Sequence, residues 1–106
     1  MLSCVDMHER DVVKKIKDHI IKVYGGTAHK FHANAFTERG VSDLFGSLPG
    51  GLAFFIEVKV PGGKPTQWQL AWLAEERKRN SIAGVCTSTA EVDQLFKEHD
   101  IYPQLK

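Results

Sequence analysis

The segment LAFFIEVKVPGG, residues 52–63, decides how the rest of the chain is read. Its first nine residues are rich in aromatic and β-branched side chains, which favour a strand. The PGG that follows cannot remain in a sheet, so the chain must leave there. Side chains alternate across a strand, so Phe54, Ile56, Val58 and Val60 share one face, and Phe55, Glu57 and Lys59 the other. The first face is apolar throughout and belongs to a core. The second turns from apolar to charged near the strand's end, which puts an acid and a base beside each other at the edge of that core.

The flanking sequence supplies the partners of this strand. Upstream, LPGG at 48–51 reads as a hairpin connection closing a short strand from Val41 to Ser47. TERG at 37–40 is a turn, and TAHKFHANAF at 27–36 reads as a further strand with poor alternation. Residues 8–24 carry Val12, Val13, Ile16, Ile20, Val23 and Tyr24 at three- and four-residue spacing, an amphipathic helix stopped by Gly25-Gly26. Downstream, Thr66 is an N-cap for a helix to about Asn80, with Trp68, Leu70, Ala71, Trp72, Leu73 and Ala74 as its apolar surface. Ile82 to Thr87 gives a last strand. Ser88-Thr89-Ala90-Glu91 is a capping box that opens a final helix through Val92, Leu95 and Phe96. The predicted order is α-β-β-β-α-β-α. A β-α-β crossover after the central strand makes this a mixed α/β sheet flanked by helices.

The chain has 106 residues, 42% of them hydrophobic and 25% charged, which fits one soluble domain over residues 1–106. No apolar run is long enough for a transmembrane helix, so no membrane partner is expected. MLSCVDMHERD carries acids where a signal peptide would have its apolar core, and Cys4 and Cys86 are expected to be reduced thiols in a cytosolic compartment. A net charge of +1 makes no case for nucleic acid by itself. The distribution is uneven, with Arg10, Lys14, Lys15, Lys17, Lys22 and Lys30 near the start and acids from Glu91 to Asp100. A solvated helix face explains the lysines as well as a phosphate-binding surface does. Zinc is not expected. His29 and His32, three apart on a strand, face opposite sides, and no CxxC accompanies Cys4 and His8.

If the strands on either side of LPGG pair as a hairpin, Asp43 comes next to Glu57. Two carboxylates held close cannot both ionise cheaply without a cation. Mg²⁺ suits one or two carboxylates together with waters and substrate phosphate. A water bound to such an ion becomes acidic enough to attack a phosphodiester, and Lys59 would orient that water and stabilise developing charge.

Asp43…Glu57-x-Lys59 resembles the signature of the PD-(D/E)xK nuclease superfamily. The surrounding residues are similar to one branch of it, the VRR-NUC family of virus-type replication-repair nucleases. They are Gly40-Val41-Ser42-Asp43, Phe55-Ile56-Glu57-Val58-Lys59, Gly62-Gly63-Lys64 and Thr66-x-x-Gln69, with Glu9, Gly25-Gly26 and Lys30 in the same order. The resemblance spans about residues 9 to 96. Ser42 stands where that family usually has proline. The resemblance implies a restriction-endonuclease-like fold and a Mg²⁺- or Mn²⁺-dependent DNA endonuclease. Asp43, Glu57 and the Val58 backbone carbonyl would hold the metal, and Lys59 would be the catalytic lysine. Glu9 would approach the metal through water, Gln69 would touch the site or the substrate, and Lys30, Arg39 and Lys64 would meet DNA. It further implies a homodimer acting on branched DNA such as four-way (Holliday) junctions, encoded by a bacterium or a phage and working in the host cytoplasm.

Several of these residues have a second reading. Glu9 at a helix start is favourable to the helix dipole alone. Thr66-x-x-Gln69 is a capping box without any nuclease. Trp68 and Trp72, one turn apart, suit a core or an interface. A non-catalytic nucleic-acid-binding module of the same fold, or an interaction protein whose acids and lysines are surface groups, are the alternatives for the whole chain.

Overall fold

The computed structural model describes residues 8–32 and 39–104. Its elements follow the predicted order: α1 Glu9–Tyr24, β1 His29–Lys30, β2 Leu44–Leu48, β3 Leu52–Val58, α2 Gln67–Lys78, β4 Ile82–Cys86 and α3 Thr89–Lys97. The strands form one mixed sheet in the order β1-β2-β3-β4, antiparallel except for the parallel β3–β4 pair. Helix α2 is the crossover between those two strands, as a parallel neighbour requires.

The β2–β3 hairpin turns at Leu48-Pro49-Gly50-Gly51, where the Gly51 N–H donates to the Leu48 carbonyl at 3.0 Å. Proline at the second position and a glycine with φ of 95° at the third make this a type II turn. The turn fixes the register at Leu44↔Ile56 and Phe45↔Phe55. Leu44, Phe54, Ile56 and Val58 then point to one face, where α1 and α3 cover them with Val12, Ile16, Ile20, Val92 and Phe96. The other face is covered over β3 and β4 by α2, with Leu73 and Ala83 buried and Trp72 edge-on to Phe55 at 5.3 Å.

Three boundaries differ from expectation. The first strand is only His29–Lys30, although N–H bonds from Thr27 to Ser47 and from Phe31 to Asp43 continue the pairing at both ends. Residues 33–36 of the expected strand, and Cys4, lie outside the described residues. The second strand starts at Leu44, so Asp43 precedes it. The central strand ends at Val58. Of the apolar side chains expected on α2, only Leu73 is buried, whereas Trp68 and Leu70 are exposed.

The caps follow the sequence with one change. Ser88 accepts the Glu91 N–H, as an N-cap should, but the Glu91 carboxylate reaches back to the Thr87 N–H and hydroxyl and not to Ser88. A polar link joins the two helices on the core face. Asp93 of α3 accepts from the Tyr24 hydroxyl at 2.6 Å and lies 2.7 Å from His19 Nε2. Burial, reinforced by Asp93, pushes the Tyr24 phenol far above its ordinary range, so it stays a hydrogen-bond donor.

Candidate active site

The site forms where the β2–β3 ladder runs out. Extending the register by one residue puts Asp43 opposite Glu57, on the face shared by Phe45 and Phe55. Successive N–H groups of a strand point to opposite sides. The Lys59 N–H bonds the Cys86 carbonyl of β4 at 3.1 Å, and the Val58 N–H is turned the other way. It finds the Asp43 carboxylate, which accepts it on Oδ2 at 3.1 Å. An aspartate side chain therefore continues the sheet past the end of β2 and is held by it.

Glu57 is 1% exposed, and its Oε2 has no hydrogen-bond partner among the described residues. An enclosed acceptor without a donor is costly in a native interior. Burial, the facing Asp43 and, less strongly, Glu9 push the Glu57 carboxyl from its usual 4.5 up to about 9, against the pull of Lys59. Burial and Asp43 together thus favour the protonated form of Glu57. Burial also disfavours the Asp43 anion. Its hydrogen bonding with Glu57, the Lys30 ammonium and the Val58 N–H outweigh that, and Asp43 is held below the usual carboxylate range. The two shifts run in opposite directions, so the facing pair favours one protonated and one ionised carboxyl.

Cations surround the pair unequally. Lys30 Nζ is 3.1 Å from Asp43 Oδ1. Lys59 Nζ is 3.9 Å from Glu57 Oε1 and 3.9 Å from Glu9 Oε1. Glu9, the first residue of α1, is thereby brought to the site across the sheet edge, and its carboxylate holds the ammonium of Lys59. Among the described residues no three His, Cys, Asp or Glu side chains form a metal-holding cluster. The two facing carboxylates of Asp43 and Glu57 are oxygen donors of the kind that could hold Mg²⁺, with its other positions left to water or substrate. The partnerless Glu57 Oε2 is the atom that fits a cation best.

Gln69 turns back on its own helix, its Oε1 accepting the Thr66 N–H at 2.8 Å while its N–H donates to Thr66 Oγ1 at 3.2 Å. Arg39 lies over the Trp68 ring, 5.5 Å from its centroid. Lys64 is exposed in the loop before α2. Lys30, expected to meet phosphate, is an ion-pair partner of Asp43, which sequence spacing gave no means of seeing. Gly40, in the loop before β2, lies against the first turn of α2. Its φ is 84°, and a Cβ there would run into the Trp68 carbonyl, so only glycine lets the turn lie against the first turn of the helix.

The VRR-NUC domain family matches residues 3–90 of the chain. The chain is 39% identical over 64 residues to the "Putative nuclease p44" of Acyrthosiphon pisum secondary endosymbiont phage 1, covering 60% of this chain and 66% of that protein, just under two thirds of its length. A solved VRR-NUC domain superposes with a TM-score of 0.71 at 32% identity, over 86% of this chain and 96% of that one.

Proposed function

The chain belongs to the VRR-NUC domain family and has its nuclease fold, and on that premise we propose that it is a Mg²⁺- or Mn²⁺-dependent DNA endonuclease. The observation that carries the reading is Glu57, a fully enclosed acid with a partnerless oxygen facing a second acid, with a lysine two residues on, just past the end of the strand. An ordinary core would not retain that arrangement at its cost. A cation turns the cost into binding energy.

Asp43 and Glu57 would hold the ion. The Val58 carbonyl would join them, because a residue's N–H and C=O leave a strand on the same side and the Val58 N–H already points at Asp43. When bound there, the ion would supply Lewis acidity toward a phosphodiester and lower the pKa of an attacking water. Lys59 would orient that water and neutralise charge growing on the phosphate, and Glu9 would keep the ammonium in place. Lys30, Arg39 and Lys64 would contact the DNA backbone. Gln69 is occupied as a helix cap, and any contact it makes with substrate would be additional to that role. The substrate class we propose is branched DNA such as four-way junctions, cut by a homodimer whose two-fold axis pairs two sites with two strands. The exposed Trp68 and Leu70 of α2 are one surface available for that contact. The phage relative suggests a phage or bacterial source and a place in the host cytoplasm. Among the described residues no helix is long and apolar enough to cross a membrane.

The test combines binding with cleavage. Mn²⁺ calorimetry should give one site on the parent and a lost or much weakened site on Glu57→Ala, and identical traces would remove the metal site. Labelled four-way junctions, flaps and linear duplex in Mn²⁺ should then be cut by the parent. Lys59→Ala should still bind Mn²⁺ but cleave about 10²–10³-fold more slowly, and undiminished cleavage would contradict the role given to Lys59.

A further inference from the structure

The closest cation to the carboxylate pair comes from the edge strand and not from the strand that carries Glu57. Lys30 Nζ is 3.1 Å from Asp43 Oδ1, whereas Lys59 Nζ is 3.9 Å from both of its acids. The second Asp43 oxygen accepts the Val58 N–H at 3.1 Å. Both oxygens are therefore engaged by the protein, but by donors of different kinds. The amide is neutral and fixed by the sheet, so it can go on orienting the carboxylate while that carboxylate serves as a metal ligand. The ammonium is a full charge on a flexible stem. It is rooted in a two-residue strand at the sheet edge, and its side chain is 35% exposed. A dication at Oδ1 would meet that ammonium at contact distance and repel it.

We propose that Lys30 is the counter-ion of Asp43 in the metal-free protein, that an arriving divalent cation displaces it, and that the released ammonium binds a backbone phosphate of the nucleic acid. The proposal rests on the metal-dependent nuclease reading and adds a link between its two ligands. Metal binding frees a phosphate-binding group, and a phosphate that captures Lys30 removes a competitor for the metal. Each ligand must then raise the affinity of the other, because linkage is reciprocal. Lys30 is a substrate-binding residue in this scheme, and its partial exposure on the edge strand lets it serve both partners in turn.

Mn²⁺ calorimetry without DNA separates the possibilities, using the parent, Lys30→Met, Lys30→Arg and Glu57→Ala. Lys30→Met should bind Mn²⁺ about tenfold more tightly than the parent, since a competing charge is gone. Lys30→Arg keeps the charge and should stay close to the parent. Binding to a four-way junction is then measured against salt, once in Ca²⁺ and once in chelator. In Ca²⁺ the slope of log affinity against log salt should fall by about one for Lys30→Met. In chelator, where Lys30 is held by Asp43, parent and variant slopes should agree. Mn²⁺ affinity of Lys30→Met equal to or below that of the parent overturns the proposal, as does an equal slope change with and without Ca²⁺. Failure of the parent to bind Mn²⁺, or undiminished binding by Glu57→Ala, instead overturns the metal-dependent reading on which it rests.

Discussion

Glu57 shows at the scale of one residue how the fold sets up the chemistry. In the unfolded chain it is an ordinary acid, and in the folded one burial and Asp43 raise its carboxyl from 4.5 to about 9. Between those values the folded state binds a proton that the unfolded state does not, so stability falls as pH rises through the interval. At about 1.4 kcal/mol per pH unit the whole effect is on the order of 6 kcal/mol. In chelator, the urea midpoint of the parent should therefore drop steadily from pH 5 to 9. Glu57→Gln keeps the shape without the titration, so its midpoint should change far less and exceed that of the parent at pH 9. A parent midpoint that does not fall over this range would mean that Glu57 is not protonated when metal-free. The opposition of Asp43 and Glu57 is legible in the sequence because LPGG allows few hairpin registers. The Lys30–Asp43 pair is not, because it depends on how the edge strand is seated.

At the scale of elements, the first turn of α2 is where the loop before β2 and the exit from β3 meet. Gly40 has both a positive φ and a backbone contact that admits no Cβ, whereas Gly50 has a positive φ in open space. Gly50→Ala should cost about 1 kcal/mol of unfolding free energy from conformation alone. Gly40→Ala should cost roughly 1–3 kcal/mol and shift the Arg39–Trp68 contact, visible as a change in tryptophan fluorescence. Equal costs would mean that the contact with the Trp68 carbonyl is unimportant. The capping box gives a second comparison. Thr66→Ala and Gln69→Ala each remove one of its two bonds and should each destabilise by about 1 kcal/mol. If Gln69 only caps, the two variants lose cleavage to the same extent. If Gln69 also touches substrate, its variant loses more. The Thr66-x-x-Gln69 spacing made the cap readable in advance. The short first strand was not, since two residues carry no period.

For the molecule as a whole, the sheet's two faces are unequal in a way that alternation announced only in part. Phe54 is fully buried under α1 and α3, and Phe45, opposite in pattern, is 36% exposed where α2 does not reach. Phe54→Ala should cost about 3–5 kcal/mol in urea unfolding, and Phe45→Ala about 1 kcal/mol or less. Comparable losses would mean that α2 covers more of the sheet than described. The core face was readable from Val12, Ile16, Phe54, Ile56 and Phe96. The link from Asp93 to His19 and Tyr24 joins residues 74 and 69 positions apart, a separation that no local pattern encodes.

The sequence by itself determined the element order, the hairpin turn, the caps and the candidate residues Asp43, Glu57 and Lys59, because periodicity, turn chemistry and residue spacing act over a few neighbours. Only the tertiary structure decided what those residues are to one another. Burial of Glu57 beside Asp43 raises its proton affinity, Asp43 takes over a backbone N–H where β2 ends, and Lys30 and Glu9 arrive from separate elements to balance the charge. Charge and burial act through space, so a one-dimensional pattern can nominate the carboxylates but cannot say which is protonated or which lysine answers it.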